Sequence, residues 1–310
     1  MAKGALDVAS FPSWQHPIAI KSTFMTLLTE AATGSTRIRA FRDWIINSVP
    51  RVPNNRETLA VLEAAPVREL VLYFLTWRSR LIPTRPRMVS FWSGGAPQQS
   101  LEVEHAEILP LLRKAASGED LTPHLSTLVN TRGLVLPGAN PTEKGKGLDG
   151  VLIRNGLHHF HVGAEGPGGA VGRTDKLVFA HVLKDEFRVI AISDHTAFAF
   201  GTAEHERFFA ICQTYISKDL QSGQGFMMNP VMSSGHDMYF TLFGRQCEEL
   251  IASIDPMLDD PATIDRLYAA VPSVPRPKKT SLAWYFEDLK FGLLEKKTRV
   301  FFCFYPLFDR

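Results

Sequence analysis

The chain has 310 residues, 45% of them hydrophobic and 21% charged, and its 34 Lys and Arg against 32 Asp and Glu leave a net charge of +2. That composition suits a folded core in one large or two ordinary domains, and it excludes a global basic field able to hold nucleic acid by charge alone. Cys212, Cys247 and Cys303 are odd in number, far apart and without a CxxC pair, which argues against a disulfide scaffold or a thiolate zinc site. The opening MAKGALDVASFPSW has no apolar signal region and no run reaches the ~18 apolar residues of a membrane span, so a cytoplasmic protein away from the membrane is expected.

In chain order, residues 1–20 read as an irregular arm and Lys21–Ala32 as a helix. Gly34, Ser35 and Thr36 then cap a second helix, with Ile38, Phe41, Trp44 and Ile45 as its buried stripe and Arg37, Arg39 and Arg42 facing water. Pro50 and Pro53 end it, and helices over Glu57–Ala65 and Val67–Trp77 follow. RSRLIPTRPR carries Arg78, Arg80, Arg85 and Arg87 through Pro83 and Pro86, which force extension. It reads as a solvated linker or as a phosphate-contacting strand. Glu102–Ala116 and Thr122–Val129 read as helices, and His124 as a surface or packing histidine. Residues 131–150 are rich in Gly and Pro and are expected to be a linker or loop between a mainly helical region, 1–130, and an α+β domain, 151–310.

Gly156–Gly201 is the most distinctive stretch, holding five of the ten histidines, with His205 just beyond it. Three strands are expected there, Leu157–Val162, Asp175–Leu183 and Phe187–Ser193, the last two joined as a hairpin by Lys184, Asp185 and Glu186. Strand alternation puts His159 and His161 on one face, Asp175, Leu177, Phe179 and His181 on one face, and Val189, Ala191, Ser193 and His195 on one face. His181 is assigned to packing, Asp194 to a turn or cap, and His205, His236 and Asp237 to the surface. Further on, Thr202 caps a helix with Phe208, Phe209 and Cys212 inward. Ser222–Asn229 is a Gly-rich loop without the GK[ST] of a phosphate cradle. Tyr239–Phe243 reads as a short strand, Arg245–Leu258 as a helix, Pro261 as the start of another, Val271–Thr280 as a basic connector, Leu282–Glu295 as a helix, and Arg299–Phe308 as a strand central in the sheet.

If the histidine strands pair as a meander, one surface gathers imidazoles and a carboxylate. RNA phosphodiester cleavage needs a base for the 2′-hydroxyl proton, a cation near the phosphate and an acid for the leaving oxygen. His159, His161, Asp175 and His195 are of the right types, with Arg173 to stabilise the pentavalent phosphate and Arg154 or Lys176 to assist. The HxH run, DKLVF at Asp175–Phe179, the hairpin DEFRVI and the closing DHTAFAFG resemble the C-terminal half of RelE-type bacterial toxins, most of all the YafQ branch. The resemblance covers residues 156–201. It implies a small β-sheet packed by helices and an endoribonuclease that needs no metal. His161, Asp175 and His195 take the family's histidine, Asp and late histidine, and Phe198 or Phe200 its aromatic, placed to stack on a base.

Two other readings stand beside it. His159, His161 and Glu165 resemble the first motif of cupins, with His195 as a third imidazole, and such a set could hold a metal. Alternatively, the histidines are half-buried strand residues of a non-catalytic binding module. The reading adopted is α+β, with a mixed, mainly antiparallel sheet drawing on 157–195, 238–243 and 299–306, a RelE-like meander and a packed helical N-terminal region. The expected partners are RNA, including ribosome-associated mRNA, and an antitoxin or inhibitory protein. No cofactor is expected.

Overall fold

The computed structural model describes residues 35–96, 106–135, 147–164 and 171–306; the expected N-terminal arm and the helix over Lys21–Ala32 lie outside them. In chain order the elements are α1 (Thr36–Ser48), β1 (Arg51–Val52), α2 (Arg56–Ala64), α3 (Val67–Arg78), β2 (Met88–Phe91), α4 (Leu109–Ser117), β3 (Leu134–Val135), α5 (Gly150–Asn155), β4 (His158–His161), β5 (Lys176–Val182), β6 (Glu186–Asp194), α6 (Ala203–Ser217), α7 (Met238–Ile254), α8 (Pro261–Ala269), β7 (Leu282–Glu287), β8 (Lys290–Glu295) and β9 (Val300–Pro306). The protein is therefore α+β, with mostly antiparallel strand pairs. Its described residues fall into two compact units, one built from 35–49, 54–75 and 240–306, the other from 50–53 and 76–239. Residues 131–135 and 147–150, at the ends of the expected linker, belong to the second unit, and 136–146 lie outside the described residues.

In the first unit α1 begins at Ser35, whose hydroxyl accepts from the Arg37 amide, and buries Ile38, Phe41, Ile45 and Ile46. Trp44 is half-buried, against Phe74 and Tyr285. Arg37 does not face water as expected: its guanidinium bonds the buried Asp255 and the exposed Asp259 at 2.9 and 2.7 Å. The sheet is a meander in the order β7-β8-β9. Leu282–Glu295 is thus a hairpin, not the expected helix. Trp284 and Phe286 are buried on β7, Phe291 and Leu293 on β8, and Asp288 turns the chain with φ 56°. Apolar residues at this density satisfy either periodicity, and pairing with β9 decides for strand. β9 itself lies at the sheet's edge, not at its centre. Tyr239–Phe243, read as a strand, is the first part of α7. There a Cβ on Gly244 would stand 2.5 Å from the Arg68 carbonyl, so glycine lets the two backbones touch.

In the second unit the sheet order is β2-β6-β5-β4, with β2 parallel to β6 and the other pairs antiparallel. The hairpin expected at Lys184–Glu186 is present. β2 is an additional strand. One face buries Phe160, Val178, Ala180, Phe187 and Val189 with Leu111 and Ala115 of α4; the other buries Leu177, Phe179 and Ala191 with Phe208, Ile211 and Cys212 of α6. The register slips between Phe179 and Ala180, where Ile190 is the extra residue on β6. That bulge sends Val189 to the face opposite Ala191, against simple alternation. Thr122–Val129, expected as one helix, is two short 3-10 turns, Thr122–His124 and Thr127–Val129.

Candidate functional site

The site grows from the four residues of β4. Phe160 is fully buried in one core, so alternation turns His159 and His161 to the α6 face. Pairing with β5 sets His159 opposite Phe179 and His161 opposite Leu177, and Leu177 lies opposite Ser193 of β6. β6 then ends in a 3-10 turn, His195–Phe198, capped by the Asp194 carboxylate on the Thr196 amide at 2.7 Å. This turn brings the His195 ring within 5.4 Å of the His161 ring, while His159 lies 5.8 Å from His161 and 5.3 Å from Phe198, centroid to centroid.

Arg173 reaches the same point through glycine contacts. Past the strand ends, Gly172 and Thr174 bond back to Ala164 and Val162, and a Cβ on Gly163 would sit 2.0 Å from the Gly172 carbonyl. Only glycine fits there, and the close approach sets Arg173 Nη1 3.4 Å from His161 Nε2, while Nη2 donates to the Leu125 carbonyl at 3.1 Å.

His161 is 5% exposed. Burial, the Arg173 charge and the neighbouring imidazoles push its pKa down to about 3, so the ring is neutral near pH 7. A guanidinium can only donate, so Nε2 presents its lone pair and Nδ1 carries the proton. Nδ1 is buried without a hydrogen-bond partner. A pH dependence of stability follows. Between about pH 3 and 6.5 the unfolded chain binds a proton at His161 that the native chain refuses, so stability falls as pH falls. From pH 7 to pH 5 the loss due to this ring is about 2 kcal/mol. Urea unfolding of the parent and of His161→Gln at both pH values should show a pH slope smaller by that amount in the variant. Equal slopes would refute the assignment.

His159 belongs to a second pair. Asp149 caps α5, with Oδ1 accepting from the Leu152 amide at 3.0 Å and Oδ2 3.2 Å from His159 Nδ1, an ion-pair approach off the line of a hydrogen bond. Burial alone would raise the Asp149 carboxyl, but the His159 ring beside it outweighs that and holds it below the usual carboxylate range. Asp149 and His159 both line a cavity of about 890 Å³, together with Arg80, Arg154, Phe198 and Phe200.

The structure brings His159, His161, His195, Arg173 and Phe198 together. It does not do so for the Asp175 carboxylate. Asp175 is exposed and meets His195 through its backbone carbonyl, 3.2 Å from Nδ1. The residue lies just before β5 begins, where the chain is no longer in strand register. Lys176 pairs with Glu107, which occupies the ammonium expected to face RNA. Arg154 is exposed at the cavity, and Phe198 and Phe200 are 43% and 90% exposed. Glu165 lies outside the described residues, and among those residues no group of three or more His, Cys, Asp or Glu has the geometry of a metal site.

Other assignments change as well. Neither reading of the arginine stretch holds for Arg80 and Arg87, which are buried and donate to the carbonyls of Arg132 and Gly147, and of Leu183 and Pro83. Asp237, expected at the surface, is 4% exposed and accepts from Asn229 and from the Tyr239 amide. His181 packs as expected, on the Tyr215 hydroxyl. One residue was missed, and His124 takes the packing role of its two expected ones. His124 is buried and its Nδ1 lies 3.0 Å from the His161 carbonyl. Asp149 was hidden in the supposed linker, although Asp149 before GVLIRN and Gly156 after it is a readable cap-to-cap helix pattern.

No protein-family model matches the chain, and comparison with curated proteins and with solved structures finds no match. Among the described residues no helix is long and apolar enough to cross a membrane.

Proposed function

We propose that the second unit is a metal-independent endoribonuclease of RelE/YafQ-like type, with RNA as its partner. The observation that carries this reading is the approach of His161, on β4, and His195, in the turn after β6, to 5.4 Å with Arg173 beside them. His161, neutral and with its Nε2 lone pair turned to the site while its one proton is buried on Nδ1, is the base, and His195 the acid. His195 suits that part. A carbonyl only accepts, so Nδ1 keeps its proton on Asp175 and Nε2 exchanges the other with substrate.

The step is an in-line transesterification. The 2′-hydroxyl gives its proton to His161 Nε2 as O2′ bonds to phosphorus. The P–O5′ bond breaks, and O5′ takes a proton from His195, leaving a 2′,3′-cyclic phosphate and a 5′-hydroxyl. The scissile phosphate draws Arg173 off His161 Nε2, freeing the lone pair. An anion beside the ring also raises its basicity, replacing a cation that lowered it. Arg173 then meets the charge that builds on the equatorial oxygens.

The test is incubation of the purified chain with RNA, with and without excess EDTA. Cleavage at equal rates, ending in cyclic phosphate, is the expected outcome. Loss of cleavage on chelation would transfer the site to a metal mechanism, and no cleavage under either condition would overturn the reading.

A further inference from the structure

The cavity beside the histidine cluster has no part in the proton transfers just described. Its volume, about 890 Å³, exceeds what a single side chain would fill, and all its lining residues belong to the second unit. The wall is mostly apolar, with Phe198 and Phe200 the most exposed of its aromatic rings. Charged groups of both signs interrupt it, Asp149 and Glu206 against Arg80 and Arg154, with His159 and His205 among them. Asp149 presents a carboxylate that is only 14% exposed and stays ionised. Arg80 and Arg154 supply cations, the first buried with its guanidinium on the Arg132 and Gly147 carbonyls, the second exposed.

A buried carboxylate among phenyl rings would ordinarily invite an amine or a guanidinium. Here Arg80 and Arg154 balance Asp149 and the exposed Glu206, so the wall has no net negative charge to draw a cation. A neutral, flat, aromatic guest suits such a wall, and an anionic group attached to it would gain from Arg154 at the exposed side. The polar edge of the guest must then donate to Asp149, because an ionised carboxylate only accepts. Among the nucleobases, guanine alone offers two adjacent donors, N1–H and the exocyclic N2–H, at the spacing of two carboxylate oxygens. Each Asp149 oxygen keeps a lone pair beyond its contact with the Leu152 amide or His159.

We infer that this cavity is a guanine site, with Asp149 reading the base edge, Phe198 and Phe200 covering its faces and Arg154 meeting a phosphate. The inference deepens the ribonuclease reading by naming a base preference, and rests on it only where the guanine is part of RNA. The guest can come from two sources, a guanosine beside the scissile bond or a free guanine nucleotide. His159, which touches both the cavity and the His161 ring, puts the two sites side by side.

Calorimetric titration of the full chain with GMP, AMP, CMP and UMP is the test. GMP should bind at least about tenfold tighter than the other three, the range of one bidentate base contact. Asp149→Asn keeps a good helix cap, so folding is retained. Its amide offers one acceptor and one donor, the complement of N6–H and N1 of adenine, so the variant should prefer AMP. Arg154→Gln should weaken GMP toward the affinity of guanosine while leaving the preference intact. Equal binding of all four nucleotides, or a guanine preference that survives Asp149→Asn, would overturn the inference.

Mapping cut sites on RNA separates its failure from that of the ribonuclease. Selective GMP binding without RNA cleavage leaves the guanine site standing and removes the nuclease. Cleavage with neither GMP selectivity nor guanine beside the cuts does the reverse. Cuts at guanine without free GMP binding, shifted to adenine by Asp149→Asn, would identify the RNA-borne base as the guest.

Discussion

His195→Ala is expected to lower kcat/KM for RNA cleavage by about 10²- to 10⁴-fold, the usual contribution of a positioned acid or base. Stability should change by no more than about 0.5 kcal/mol. The two effects separate because of where the residue sits. His195 is exposed, and its polar contact is the 3.2 Å approach to the Asp175 carbonyl. The turn that carries it is held by Asp194 at its cap and by Ala197, buried in the core. On the proposed mechanism, removing the imidazole therefore deletes the proton donor without undoing the turn. KM for RNA should move little, because the phosphate contact in the proposed mechanism is Arg173. Cleavage assays at saturating and limiting RNA, with urea unfolding on the same preparation, read both quantities. Activity within about threefold of the parent would remove His195 from the proton path. His161→Ala is a less clean probe, since that ring is 5% exposed and its loss would also open the core.

The parts of the fold that sequence made legible share a physical property: short-range pattern decides them. β5 and β6 carry β-branched and aromatic residues bounded by polar breaks, and the α1 stripe recurs at helical spacing from a serine cap. The residue types of His161 and His195 were readable, but their approach depends on the register of β4 on β5, which sequence leaves open. What was not legible depends on partners distant in the chain. β2 is only four residues, MVSF, and becomes a strand because β6 offers a free edge. β7 and β8 are strands because β9 pairs with them. Asp175 was one residue outside the strand that would have aimed its carboxylate, and the acid beside the cluster came instead from Asp149, in a stretch whose glycines read as a linker. The bulge at Ile190 has no signature in sequence, yet it sets which residues of β6 face the site.

Phe179→Ala is expected to cost about 3–5 kcal/mol, the range for deleting a buried phenyl. Phe179 is fully buried, its ring 4.1 Å from Phe208, 5.8 Å from Phe198 and 6.3 Å from His159. It thus supports two rings of the site from below, and the space it leaves adjoins them. Phe160→Ala is the matched comparison. Phe160 is equally buried, but it faces the other core, 5.1 Å from Phe187. The two variants should unfold at similarly reduced urea concentrations, with an unchanged dependence of free energy on urea. Under conditions where both remain folded, cleavage should fall further in Phe179→Ala, because His159 and Phe198, which pack on the rings of His161 and His195, lose the surface that fixes their rotamers, and a displacement of about 1 Å passed to a positioned group costs up to about 10²-fold. Equal cleavage losses in the two would mean that Phe179 acts through the fold alone, with the strand backbone and not this ring holding the histidine face in place.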